Sequence, residues 1–353
     1  MEKSYSYIAT PPGATIKEQL ADRGMSQKEF AFRMGMSEKH ISNLINGKTE
    51  LTPAVATKLE LVLGLPARFW LKLEAIYRES LSKVKEENEL ENDIQIVKKL
   101  PYNDMAKYNW VSSTRDIKEK VISTRKFFEV SRLDLINKEE LIKIACRRIQ
   151  ITEKSDLALL VLAQAAKIQA RKIKTSTLKL KNLQSKLLEI RAMTTMDPEE
   201  FCPLLQHVLA QCGIALIFLP NVAGSFLHGA TLADGNKIII GITVRGKDAD
   251  KFWFSLFHEL GHVLYNHINL PNGTTKEDEN MADDFAKKTL INQTEFNNFI
   301  VQNSFTEKSI LEFANNIGID KGIIVGRLQK EEYIPYSRFN HLKTKYEFEN
   351  STS

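Results

Sequence analysis

The sequence predicts a multidomain chain with an all-α head, a helical middle region and an α+β domain that contains a small sheet. Three observations support this: a pair of short capped helices, a long stretch with helical apolar faces, and short apolar runs that precede an H-E-x-x-H motif. A chain of 353 residues is long for one domain, and 43% hydrophobic residues suffice for several cores. We place the boundaries at 1–80, 81–190, 191–335 and a C-terminal tail at 336–353.

Start and stop signals for two short helices lie close together in the head. Ser26, with Glu29 three residues later, predicts a capping box, and Gly35 ends that helix. Ser37 begins the next helix, which Gly47 closes. Two short helices joined by a tight turn that contains glycine predict a helix-turn-helix. The alternative is a small helical bundle whose polar face is only solvated.

The second helix of this pair is the candidate recognition helix. Its apolar positions face the core, which leaves its polar side chains where base edges and phosphates are contacted. The candidate DNA contacts on and around it are Gln27, Lys39, His40, Ser42, Asn43 and Lys48.

Residues 8–80 resemble the HigA-type antitoxins, a branch of the Cro/repressor-like DNA-binding proteins. The similar segments include MSQKEFA from Met25 and ISNLINGK from Ile41. The resemblance implies a homodimer on a palindromic operator in double-stranded DNA, with the protein's own promoter as the expected site. It also implies that Gln27, Lys39 and Asn43 touch DNA, while Lys48 touches phosphate.

Positive charge is concentrated in the middle region. Residues 81–190 contain 23 basic and 15 acidic residues, against 11 and 9 in residues 1–80 and 15 and 20 in residues 191–353. No acidic residue occurs between Leu157 and Leu188. This basic stretch, 157–188, is either a phosphate-facing stripe or a solvated helix face, and the sequence leaves both interpretations open.

Short apolar runs after the middle region predict the small sheet. Strands are expected at 214–219, at about 226–232 and at 237–242. The third run shortly precedes the H-E-x-x-H helix. It is either an edge strand that pairs with an extended substrate or an interior strand of the sheet.

The H-E-x-x-H motif predicts a metal site. On a helix, His258 and His262 lie one turn apart on one face, so both can bind one Zn²⁺ ion. Glu259 directly follows the first histidine and is the candidate general base. Downstream, Glu279 and Asp283 share a helix face at i, i+4, so Glu279 is the predicted third ligand and Asp283 is predicted to orient a ligand histidine. A chance match to the motif is the alternative.

Other polar residues near these motifs receive weaker roles. His228 and Tyr265 are candidate donors to an oxyanion, although a packed, hydrogen-bonded residue is the commoner outcome for either. Glu277, Asp278 and Asp284 are predicted to be a solvated acidic start of the second helix.

The paired motifs, H-E-x-x-H at 258–262 and E-x-x-A-D-x-F-A at 279–286, are similar to those of the ImmA/IrrE family of zinc metallopeptidases. The resemblance implies a zincin-like fold, a Zn²⁺ cofactor and the ligands His258, His262 and Glu279. It also implies a regulated endopeptidase of narrow substrate range. Met281 stands where family members often have a second acidic residue.

Two functions stay open. The first is a DNA-binding, antitoxin-like transcriptional regulator that carries a zinc endopeptidase for a specific intracellular protein, either a repressor or a toxin-system partner. The second is a non-proteolytic regulator whose zinc fold serves as a sensor or partner-binding module; an intact Glu259 favours the first. Three cysteines without a C-x-x-C pair, and no signal-peptide or membrane-length apolar run, predict a cytoplasmic protein. The two family resemblances imply a bacterial or phage-derived origin.

Overall fold

The computed structural model describes residues 2–137, 153–225, 228–243, 247–268, 274–302 and 304–348. The chain forms two compact units, Met1–Gln95 and Ile96–Ser353. The four-part division made from the sequence stays a prediction.

The first unit is helical apart from one short ribbon. The ribbon pairs β1 (Glu2–Lys3) with β2 (Ile8–Ala9) in antiparallel register. The helices that begin in this unit are α1 (Gly13–Asp22), α2 (Gln27–Met34), α3 (Glu38–Ile45), α4 (Pro53–Leu63) and α5 (Ala67–Lys99).

The caps predicted for the helix-turn-helix are present. Ser26 Oγ accepts the Glu29 backbone N–H at 3.1 Å, and Ser37 Oγ accepts a backbone N–H in the same way at the start of α3. Gly35 ends α2 in the left-handed conformation, with φ of 60°. The Glu29 carboxylate accepts from Arg33 at 2.6 Å instead of returning to the cap residue, so the reciprocal half of the predicted capping box is replaced by an ion pair.

The core of the first unit fixes the direction of α3. Ile41 on α3 is fully buried beside Phe30 of α2 and Trp70 of α5. A Cβ added at Gly13 would lie 1.9 Å from the Ile45 carbonyl oxygen, so the start of α1 rests directly on the end of α3. Each fully buried large side chain contributes about 1.5–3 kcal/mol to this packing.

The second unit contains ten described helices around a small sheet. The helices are α6 (Tyr102–Lys107), α7 (Ile117–Phe128), α8 (Glu153–Ala170), α9 (Leu180–Ala192), α10 (Pro198–Gln211), α11 (Ala249–Leu264), α12 (Lys276–Leu290), α13 (Gln293–Val301), α14 (Glu307–Ile317) and α15 (Lys321–Lys330). The strands are β3 (Ile214–Leu219), β4 (Gly229–Asp234) and β5 (Lys237–Thr243).

Among the described residues, the sheet has the order β3-β5-β4. The central strand, β5, runs parallel to β3 and antiparallel to β4, so its backbone groups are paired on both sides. The interpretation of 237–242 as a substrate-binding edge is therefore wrong, because an interior strand has no edge to offer. The strand predicted at 226–232 is found at Gly229–Asp234; positions 226 and 227 lie outside the described residues.

Helix α11 lies at the centre of the second unit. Trp253 and Phe257 are fully buried and belong to one cluster with Phe201 of α10. Tyr346 joins the same cluster, and its hydroxyl accepts the Trp253 indole N–H at 3.0 Å. A residue from the segment predicted as a tail thus helps to hold the helix that carries H-E-x-x-H. No helix in the described part of the chain is long and apolar enough to cross a membrane.

Candidate metal centre

Two helices bring the three predicted ligands together. His258 and His262 project from α11, and Glu279 projects from α12. The two histidine Nε2 atoms lie 3.0 Å apart, and the Glu279 carboxylate oxygens lie 3.2 Å from His258 Nε2 and 3.4 Å from His262 Nε2. All three ligand atoms fall within 4.8 Å of one another, which lets one ion contact each of them.

Small residues allow α11 and α12 to approach closely. A Cβ added at Gly261 would lie 3.2 Å from the Ala282 Cα atom and 3.1 Å from the Phe285 ring. Ala282 and Ala286 are fully buried. A larger side chain at this crossing would push α12 outward and move Glu279 away from the histidines.

Asp283 lies where the sequence analysis placed it. Its Oδ1 atom is 2.7 Å from His258 Nδ1, one helical turn beyond Glu279. Burial raises the pKa of Asp283, but the hydrogen bond with His258 and the charges of His258, Lys287 and Lys330 together bring the pKa below its usual value. The contact leaves His258 Nε2 facing His262 and Glu279, as a ligand nitrogen must.

His267 and its two contacts near the centre were not expected from the sequence. His267 Nδ1 lies 3.1 Å from His262 Nδ1, and His267 Nε2 lies 3.3 Å from Asp278 Oδ1. Asp278 also closes a capping box with Thr275 at the start of α12. Its description as a merely solvated carboxylate is wrong, because the turn after α11 returns His267 to it. A histidine five positions beyond a predicted ligand was the available signal.

Glu259 is held against the sheet. Glu259 is only 7% exposed, and its Oε2 atom accepts a hydrogen bond from the Thr231 hydroxyl at 2.6 Å. A Cβ added at Gly229 would lie 3.0 Å from Glu259 Cγ and 3.1 Å from Oε1. The carboxylate therefore rests on β4, and the glycine there leaves room for it.

The two candidate oxyanion donors lie in different places. His228 is exposed and immediately precedes β4, and its carbonyl oxygen accepts the Thr243 N–H at 2.9 Å. Tyr265 is 42% exposed, with its ring 5.7 Å from that of His267 and 6.0 Å from that of Phe285. A role for either in oxyanion binding stays a prediction.

The candidate DNA contacts differ in exposure. Gln27, Lys39 and Lys48 are exposed, whereas His40, Ser42 and Asn43 are half-buried. The His40 Nε2 atom is buried and has no hydrogen-bond partner within the part of the chain that the structure describes. That atom does not face outward in this conformation, which leaves Lys39, Ser42 and Asn43 as the stronger candidates on α3.

The basic stretch 157–188 is partly neutralised inside the second unit. Arg171 pairs with Glu129 at 2.6 Å and with Asp234 at 2.8 Å. Burial lowers the pKa of Lys167 despite the nearby Asp234 carboxylate. Arg171 is already paired with two carboxylates and Lys167 is partly buried, so any phosphate-facing role would rest on the remaining lysines.

The head defines the class of this protein: it is a helix-turn-helix regulator. Residues 16–70 match the family described as helix-turn-helix, and through this head the chain belongs to that family. The uncharacterized HTH-type transcriptional regulator YddM of Escherichia coli (strain K12) is 40% identical over 63 residues, which are 18% of this chain and 67% of that protein. Antitoxin HigA-1 of Vibrio cholerae is 42% identical over 57 residues, which are 16% of this chain and 53% of the antitoxin. The chain thus spans about half of the length of that antitoxin.

Proposed function

We propose that this protein is an antitoxin-like transcriptional regulator whose second unit is a zinc-dependent endopeptidase for a specific intracellular protein. The observation that supports the peptidase is the convergence of His258, His262 and Glu279, with ligand atoms 3.0–3.4 Å apart, beside the buried Glu259. Its resemblance to the ImmA/IrrE peptidases rests on these same residues.

The donor set suits zinc. Two imidazole nitrogens and one carboxylate are a common ligand combination for catalytic Zn²⁺, with a fourth position left for water or substrate. Both Nε2 atoms point to one place because the Nδ1 atoms are engaged by Asp283 and His267. When bound, the ion would polarise the scissile carbonyl and increase the acidity of the attacking water.

Glu259 would remove the proton from the attacking water and deliver it to the leaving amine. The Thr231 hydroxyl donates to one carboxylate oxygen and so orients the group from β4. Among the described residues, β4 is an edge strand of the sheet. An extended peptide could add to that edge by main-chain hydrogen bonds, which would bring its scissile bond near Glu259.

The test of the peptidase starts from the metal. The full chain is purified, its zinc content is measured, and the zinc-loaded protein is incubated with proteins encoded beside it. Fragments are identified by mass spectrometry. One zinc ion bound per chain, together with cleavage of one neighbouring protein at a single site, would support the proposal. Zinc binding without cleavage of any neighbour would favour the sensor or partner-binding alternative.

The head is expected to bind as a homodimer to an inverted repeat, with half-sites about one helical turn apart. One recognition helix buries too little surface for high specificity alone, and a dimer doubles it.

Asn43→Ala should lose about 1–3 kcal/mol of discrimination at one base position. Lys48→Ala should weaken binding to all sequences alike and reduce the salt dependence, because a phosphate contact carries no sequence information.

Both effects are measured by titrating promoter DNA and a scrambled duplex at several salt concentrations. Lys17→Ala, on α1 and outside the candidate contacts, serves as the control and should behave like the wild type. If the full chain fails to shift its promoter DNA at low salt, the DNA-binding part of the proposal is wrong. If Asn43→Ala weakens both duplexes equally, Asn43 is not a base contact.

A further inference from the structure

The structure supplies an outer partner for each ligand histidine, and only one was expected from the sequence. His258 is oriented by Asp283 directly, with 2.7 Å between Nδ1 and Oδ1. His262 meets a second imidazole instead, that of His267, at 3.1 Å. The other ring nitrogen of His267, Nε2, lies 3.3 Å from Asp278 Oδ1. We propose that His267, backed by Asp278, is a positioning residue that fixes the ring of His262 for metal binding; this inference rests on the proposed metal centre.

The direction of the hydrogen bonds follows from the ligand role of His262. If His262 Nε2 offers its lone pair to the metal, the ring proton sits on Nδ1 and is donated to His267 Nδ1. His267 must then hold its own proton on Nε2, which it donates to Asp278 Oδ1. With the metal on His262 Nε2 and Asp278 beside His267 Nε2, this row of contacts favours one tautomer of each ring.

The burial of His267 supports a positional role. The residue is 7% exposed, and a buried imidazole without partners for its nitrogens would be costly. Its backbone N–H donates to the His262 carbonyl at 2.8 Å, so the turn that ends α11 holds the ring in place. Tyr265 packs against the ring from the solvent side, with centroids 5.7 Å apart.

Helix α12 carries three of the residues that form the proposed centre. It provides the ligand Glu279, the partner of His258 at Asp283 and the final acceptor of the His267 row at Asp278. Asp278 can serve two purposes because its oxygens are divided. Oδ2 accepts from Thr275 at the helix start, and Oδ1 faces His267.

The test measures zinc affinity by chelator competition and the visible spectrum of the Co²⁺-substituted protein. His267→Phe keeps an aromatic ring at this position, although a slightly larger one, and removes both nitrogens. Its zinc dissociation constant should rise about 10–100-fold, as for other outer partners of metal ligands. The Co²⁺ spectrum should also change, because the His262 ring is free to rotate. His267→Gln, which can still accept from His262, should recover part of the affinity.

Controls separate positioning from folding and capping. His341→Phe changes a histidine that is paired with Glu307 on the surface, and it should leave zinc affinity unchanged. Thr275→Ala removes the hydroxyl that caps the backbone N–H of residue 278 but keeps the Asp278–His267 contact. Asp278→Ala keeps that cap and removes the carboxylate's bonds to Thr275 together with the His267 contact. Zinc binding should weaken more in Asp278→Ala than in Thr275→Ala, because only Asp278→Ala loses the contact with His267. Equal losses in these two variants would overturn the role of Asp278.

The outcomes also distinguish this inference from the proposed function. If wild-type protein binds zinc, Glu279→Ala loses it, and His267→Phe and His267→Gln retain wild-type affinity and an unchanged Co²⁺ spectrum, the positioning role is overturned while the metal centre stands. If Glu279→Ala binds zinc as tightly as the wild type, the metal centre itself is wrong, and the inference falls with it. Far-UV circular dichroism of each variant shows whether its overall helix content matches that of the wild type.

Discussion

Replacing Glu259 by Gln is expected to leave zinc bound and to lower the rate of substrate cleavage by about 10²–10⁴-fold, the usual contribution of a general base. Glu259 is not among the atoms that converge on the candidate ion, so its loss removes no ligand. Replacing Glu279 by Ala should instead lower zinc occupancy, because its carboxylate lies within 3.4 Å of both histidine Nε2 atoms. The two variants therefore separate chemistry from metal binding.

Zinc content is measured by elemental mass spectrometry. Cleavage is measured on the substrate that is identified among the proteins encoded beside this one. Glu277→Ala is the matched control, since Glu277 is an exposed glutamate on the same helix. Wild-type cleavage by Glu259→Gln would exclude this peptidase mechanism. Unchanged zinc in Glu279→Ala would remove Glu279 from the site.

The largest expected loss of stability is at Lys343, which lies outside the metal centre. Its Nζ atom donates to Asp250 Oδ2 at 2.9 Å, and the two side chains are only 8% and 9% exposed. Lys343→Ala should destabilise the second unit by about 3–5 kcal/mol, because it leaves the Asp250 charge buried without its partner. The carboxylate has no room to turn away, since a Cβ added at Gly326 would lie 2.2 Å from Oδ2.

This loss is measured as the change in the free energy of unfolding of the full chain, obtained from denaturant titrations. Lys345→Ala is the control, because Lys345 is 57% exposed where it pairs with Asp248, and it should cost about 0–1 kcal/mol. Adding Asp250→Asn to Lys343→Ala should restore part of the stability by removing the buried charge. Equal effects of Lys343→Ala and Lys345→Ala would contradict the importance of burial at this pair.

Local patterns in the chain predicted the elements and most of the site. Ser26, Ser37 and Gly35 predicted the bounds of the helix-turn-helix because a cap acts only on the turn next to it. The i, i+4 spacings likewise placed His258 with His262 and Glu279 with Asp283, because helical geometry fixes which residues share a face. These inferences need no knowledge of the rest of the fold.

Contacts between segments distant in sequence required the tertiary structure. The interior position of β5 depends on β3 and β4 pairing on either side, and an Ile-rich run is compatible with either an edge or an interior strand. Asp278 looked like any carboxylate at a helix start until the turn after α11 brought His267 to it. Lys343 looked like part of a tail until it reached Asp250, 93 residues away. The sequence by itself determined which chemical groups this protein has on each helix face, and the tertiary structure decided which of them meet, because long-range pairing depends on how every intervening element packs.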